Sequence, residues 1–143
     1  MSEKEHKILF RKIIEEWNSG NHQAAFDALS EDVAIVDETG TPYSKKEYVE
    51  KFQNVFLPAM PDLHLDIEDV ITKGGQLVAR YTESATLKGD LMGIPATGRR
   101  FSTPAIEIWR FSNGKIIELN MARDILTALT QLGVIPPLEQ RAE

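Results

Sequence analysis

Near Pro61 the hydrophobic pattern of this chain changes its period, and no other feature constrains the fold as much. Before that point apolar residues recur every three or four positions; after it they alternate. Leu9, Phe10, Ile13, Ile14 and Trp17 share one helical face between charged neighbours, so the spacing predicts an amphipathic first helix. Asn18-Ser19-Gly20-Asn21 ends it, and Ala24, Ala25, Ala28 and Leu29 predict a second, shorter helix. Val33 to Val36 reads as a short strand closed by the turn Asp37-Glu38-Thr39-Gly40. Ser44 at the N-cap and Glu47 at N3 form a capping box. The helix it opens carries Tyr48, Phe52, Val55 and Phe56 on one side, and Pro58 and Pro61 finish it.

Past Pro61, Leu63, Leu65 and Ile67 alternate with His64, Asp66 and Glu68, and Val70-Ile71 continues the strand. Gly74-Gly75 is a two-residue hairpin signal into a strand from Leu77 to about Leu87, followed by a loop from Gly89 to Gly98. Phe101 to Phe111 and Lys115 to Arg123 are the last two strands, joined through Asn113-Gly114. Leu126, Leu129 and Leu132 predict a closing helix with Gly133 as its C-cap. Helices followed by a strand meander point to an α+β fold, one domain over residues 1–143, with Pro136-Pro137 and the charged tail loose. In the last two strands, Phe101, Ala105, Trp109 and Phe111 have one parity, but Ile106 and Ile108 have the other. Helices are expected to cover one face and a second copy part of the other, giving a homodimer through the sheet.

At 143 residues the chain can bury a proper core without staples. It contains no cysteine, which excludes disulfides, thiolate metal sites and a cysteine nucleophile. A net charge of −6 argues against a nucleic-acid partner. No apolar run approaches a membrane span of about 18 residues, and the charged start MSEKEHK is no signal peptide. Cytoplasm is the expected location.

Familiar motifs fail where tested. GIPATGRR has the glycine gap of a phosphate loop, but Arg99 and Arg100 stand where lysine and a hydroxyl residue are needed. His6, His22 and His64 lack metal-ligand spacing, and His64 has the polar parity of its strand. Asp124, where a strand hands over to a helix, is the sharpest candidate. On parity it aligns with Asn120, so both could look into one cavity, where burial would raise the acid's pKa and suit it to proton transfer. The competing reading is an N-cap, whose backbone N–H bonds would lower that pKa. Glu107, a lone acid among apolar residues, is either a pocket carboxylate or a charge guarding a sheet edge. Arg80 either neutralises one of these acids, anchors an anionic substrate, or faces solvent as most strand arginines do. Trp17, Phe52, Phe56 and Trp109 read as core or as walls of a small-molecule cavity under arched helices.

The run GDLMGIPATGRRF, then IEIWRFSNGKIIE, then Asp124 with a helix ending QLG resembles the SnoaL-like polyketide cyclases, or ester cyclases. MPDLHLDIEDVI and LVARYT resemble the family's preceding segments. The resemblance implies a cystatin-like, nuclear-transport-factor-two-like cone, with a curved antiparallel sheet and N-terminal helices on its concave face. It also implies a pocket that uses neither cofactor nor metal and closes the last ring of an aromatic polyketide ester by aldol condensation. The family's acid/base aspartate matches Asp124. Two positions depart: Leu87 stands where the family usually has histidine, and Asn120 where it usually has tryptophan. The expectation is acid/base chemistry on a small hydrophobic carbonyl compound. Asp124 would move the proton, Asn120 would polarise the oxygen, and Trp17, Leu87 and Trp109 would line the cavity, with Arg80 or Glu107 at its polar end. The alternative is a binding protein that holds such a ligand without reaction.

Overall fold

The computed structural model describes residues 1–137; the part of the expected loose tail beyond Pro137 lies outside the described residues. Four α-helical segments and two strands precede the meander. They are α1 (Glu3–Asn18), α2 (Gln23–Ala28), β1 (Leu29–Val36), β2 (Pro42–Tyr43), α3 (Lys45–Lys51) and α4 (Leu57–Ala59). β3 (His64–Lys73), β4 (Gln76–Thr86), β5 (Arg100–Ser112), β6 (Lys115–Arg123) and α5 (Ile125–Gln131) follow. The strands form one curved, unclosed sheet in the order β2-β1-β6-β5-β4-β3. Its pairs are antiparallel except β1 with β6, a parallel contact between distant parts of the chain that the local patterns did not foretell. No helix among the described residues is long and apolar enough to cross a membrane.

Helix α1 starts where the Ser2 hydroxyl accepts the Glu5 N–H, with Glu3 and Glu5 favourably placed in the first turn. Its buried face is His6, Phe10, Ile13, Ile14 and Trp17, and it lies on the concave side of the sheet. Phe10 meets Trp109 edge-on at 4.8 Å and Tyr81 at 6.0 Å; His6 stacks on Phe111 at 4.6 Å. Phe10 has no exposed surface, and burial of such a side chain stabilises by about 1.5–3 kcal/mol.

The capping box at Ser44 and Glu47 forms as read. The helix it opens does not run on evenly: a π-helical turn, Phe52–Phe56, separates α3 from α4, and Pro58 sits inside α4 rather than after it. The wider turn gathers Tyr48, Phe52 and Phe56 into one aromatic run, with ring centroids 4.9 and 5.3 Å apart. Both expected hairpins close as two-residue turns, pairing Lys73 with Gln76 and Ser112 with Lys115. At the second, Asn113 (φ 51°) and Gly114 (φ 74°) take the left-handed conformations that such a turn demands.

Residues 87–99 fold back on themselves: the Leu87 N–H donates to the Arg99 carbonyl, the Gly98 N–H donates to the Leu87 carbonyl, and Leu91 bridges Ile94. Ala59 accepts the N–H groups of Lys88 and Gly89, which ties this loop to α4. A side chain at Gly89 would come within 2.9 Å of the Pro58 carbonyl, so the approach requires glycine. Gly133 closes α5 in a Schellman motif: its N–H donates to Thr130, and that of Val134 to Leu129. Gln131 Oε1 accepts the Ser102 N–H at 2.7 Å, and Leu132 is buried, so α5 is fixed to β5.

Alternation in β5 is strict: Phe101, Thr103, Ala105, Glu107, Trp109 and Phe111 are buried, and the residues between them are not. Ile106, Ile108 and, on β3, Ile71 lie on the other face, 44%, 38% and 65% exposed. The mixed parity in the sequence is therefore an apolar outer face, not irregular strands.

Candidate active site

Between the helices and the concave face lie two adjoining cavities. The larger, about 440 Å³, opens among α5, the loop after β4 and the turn after β1. The smaller, about 60 Å³, lies deeper against α1. Tyr48, Phe52, Leu63, Glu83 and Arg123 line both and form the partition between them.

Strand register builds the polar part of that partition. Tyr81, Ala105 and Arg123 are direct neighbours across β4, β5 and β6. One row toward the mouth Glu83 pairs with Thr103; one row toward the closed end Glu107 pairs with Ala79 and Met121. The small side chain of Ala105 leaves room for the Arg123 guanidinium between the two acids. Arg123 Nη1 reaches Glu83 at 3.4 Å, Nη2 reaches Glu107 at 3.5 Å, and Nε lies 3.7 Å from Glu38 in the turn after β1. Glu107 Oε1 also accepts the Tyr81 hydroxyl at 3.0 Å and the Trp109 indole N–H at 3.1 Å.

Three carboxylates thus share one guanidinium in a largely buried setting. Burial pushes the Glu83 carboxyl up, Arg123 opposes the shift, and Glu107 and Glu38 add to it. Burial works against the Arg123 cation, but the three carboxylates outweigh it and hold its pKa above the ordinary arginine value. Burial, followed by the charge of Glu107, raises the Tyr48 and Tyr81 phenols, so both remain neutral O–H donors. Among the described residues no three His, Asp or Glu side chains are arranged to hold a metal ion.

The residues singled out from sequence divide three ways. Trp17, Glu107 and Trp109 converge on the inner chamber. Glu107 is no edge charge, because β5 is flanked by β4 and β6. Leu87 is wholly buried in the cluster with Phe101 and Leu132, and lines neither cavity. Arg80 and Asn120 lie on the outer face, beside Ile106 and Ile108 respectively, and Arg80 is paired with Asp69 at 2.6 Å.

Asp124 and Asn120 therefore do not share a cavity. The strand ends at Arg123, and Asp124 leaves strand geometry (φ −88°, ψ 79°) to cap α5. Its carboxylate accepts the Thr127 N–H at 3.0 Å, stands exposed on the rim of the larger cavity, and is held below the usual aspartate range by that bonding. The residues the sequence reading missed are Glu83, Arg123 and Tyr48. A signal was present: Glu83 has the apolar parity of Leu77, Ala79, Tyr81 and Ala85, and Arg123 that of Leu119 and Met121.

The family described as SnoaL-like polyketide cyclase matches residues 7–132. The chain belongs to that family. Among solved structures, AclR from Streptomyces galilaeus, provisionally described as a hydroxylase, is 28% identical. The match covers 94% of this chain and 100% of AclR, with a TM-score of 0.86. IdmH from Streptomyces antibioticus, provisionally described as a polyketide cyclase, is 26% identical over 90% of this chain and 98% of its own, at 0.77. A Catenulispora acidiphila protein with a ketosteroid isomerase-like fold is 15% identical over 89% and 93%, at 0.74, a likeness of fold alone. No curated protein matches the chain. In this SnoaL-like chain, then, the acids deepest in the cavity are Glu83 and Glu107, while Asp124 stands at its rim.

Proposed function

We propose that the chain performs acid/base chemistry without a cofactor, an aldol-type cyclisation or a related isomerisation, on an apolar carbonyl compound held in the larger cavity. One observation carries this reading: Glu83, with a raised pKa, sits beside Arg123 on the floor of a cavity walled by Phe52, Phe56, Met60, Leu91 and Phe101. A carboxylate so poised takes a proton from the carbon next to a carbonyl and returns one to carbon or oxygen. Arg123 offsets its charge, and the neutral Tyr48 hydroxyl is the nearby donor for an oxyanion. Asp124 at the rim keeps a role at the entrance, ionised and solvated.

The test is α-hydrogen exchange. A panel of aromatic and aliphatic ketones is incubated with the protein in D2O, and loss of the α-proton signal is followed by NMR. Accelerated exchange that falls by roughly 10²–10⁴-fold in Glu83→Gln, the usual contribution of general acid–base catalysis, is the expected result. Binding without exchange would replace the proposal with the second reading, a ligand-holding protein. That reading is favoured by Leu87, wholly buried where the family usually has a titratable histidine.

The expected homodimer is proposed on the outer face, where Ile71, Ile106 and Ile108 are exposed. Sedimentation at micromolar concentration should give a dimer that Ile106→Glu dissociates; a wild-type monomer would remove it.

A further inference from the structure

The two indoles of the inner chamber differ in one respect. Trp109 donates its N–H to Glu107, whereas the Trp17 N–H is buried and has no hydrogen-bond partner among the described residues. A buried donor left without an acceptor is destabilising, because it has given up its bond to water without replacing it. Trp17 is only 7% exposed and is locked by three rings: His22 at 4.4 Å, Phe52 at 5.4 Å and Phe26 at 6.0 Å, all at steep angles. The donor is therefore pre-organised. The chamber it lines is otherwise walled by apolar side chains such as Ile13, Ile14 and Leu119, and its other polar groups are Glu83, Glu107, Arg123, the Trp109 indole and, at the partition shared with the larger cavity, the Tyr48 hydroxyl. The two acids supply acceptors, and the Arg123 guanidinium is held in ion pairs with three carboxylates, although its Nε makes no hydrogen bond among the described residues. About 60 Å³ exceeds the ~10–15 Å³ that one water needs, so the chamber has room for a few heavy atoms.

We propose that this chamber is the subsite for a short, carbonyl-bearing end of the ligand, and that the Trp17 indole N–H is the donor to its oxygen. The apolar body of the ligand stays in the larger cavity, and the carbonyl passes the partition at Glu83. Trp17 then selects oxygen acceptors over hydrocarbon of equal shape. The proposal rests on the reading of the cavity as a site for carbonyl compounds, and the experiment separates the two.

The probes are 2-acetylnaphthalene and 2-isopropenylnaphthalene, which differ by a methylene in place of the oxygen. With two tryptophans the protein gives two indole ¹H–¹⁵N signals, which Trp109→Phe or Trp17→Phe assigns. The ketone should move the Trp17 signal downfield and the alkene should not. The ketone should also bind about fivefold more tightly than the alkene, as one net hydrogen bond dictates, and Trp17→Phe should erase that preference. The wild-type shift stands without any variant, so a poorly folded Trp17→Phe leaves the test intact. A ketone that binds without moving the Trp17 signal, or no more tightly than the alkene, overturns the subsite and leaves the Glu83 proposal standing. Failure of both probes to bind overturns both.

Discussion

Glu83 and Asp124 line the same cavity, one paired with Arg123 and the other next to it in the chain, and are shifted in opposite directions. Glu83 sits on the floor, 7% exposed, where burial raises its pKa. Asp124 stands on the rim, where hydrogen bonds from Thr127 lower it. The difference teaches that an acid's place at the end of a conspicuous motif says little about its chemistry. Solvent access and bonding partners decide that, and here they favour the less conspicuous residue.

The sharpest way to break this comparison is to exchange the two roles by mutation. Glu83→Gln should lose roughly 10²–10⁴-fold in α-hydrogen exchange, while Asp124→Asn, which keeps a good N-cap, should stay near wild type. The reverse result would return the acid/base role to Asp124. Next in size is Arg123→Met, which strands three carboxylates; urea unfolding at neutral pH should show a loss of about 3–5 kcal/mol. Little change would mean that the carboxylates do not depend on this guanidinium for their stability in the fold.

A smaller effect concerns pH. Because the folded chain holds the Glu83 proton more tightly than the unfolded chain, this residue's contribution is fully present below the ordinary glutamate range and lost as pH rises through its raised value. Asp124 has the opposite sign: its contribution is present above the ordinary aspartate range and lost as pH falls through the lowered value. Thermal unfolding across pH 3–8 should show the first trend flattened in Glu83→Gln and the second in Asp124→Ala. At neutral pH, Asp124→Ala should lower Tm by less than Arg123→Met, since only a cap is lost. A larger loss would show that Asp124 holds more of α5 than its one bond to Thr127.

Much of this was legible locally. Ser44-Glu47, Gly74-Gly75, Asn113-Gly114 and Gly133 each satisfy a backbone requirement with their own side chain, or lack of one, so sequence suffices to place them. Trp17, Glu107 and Trp109 could likewise be nominated because they break or thicken an apolar pattern. The parallel pairing of β1 with β6 and the gathering of Glu38, Glu83 and Glu107 around Arg123 depend on how distant strands align, and no local pattern encodes that. Parity told which residues share a face, but only the packing of α1 against one face decided which face is inside. For the same reason Asn120 and Arg80 face outward and Arg123 inward. What the amino-acid order determined by itself is the series of turns, caps and periods; what tertiary structure decided is which charges were taken out of water, because desolvation is a property of the whole fold.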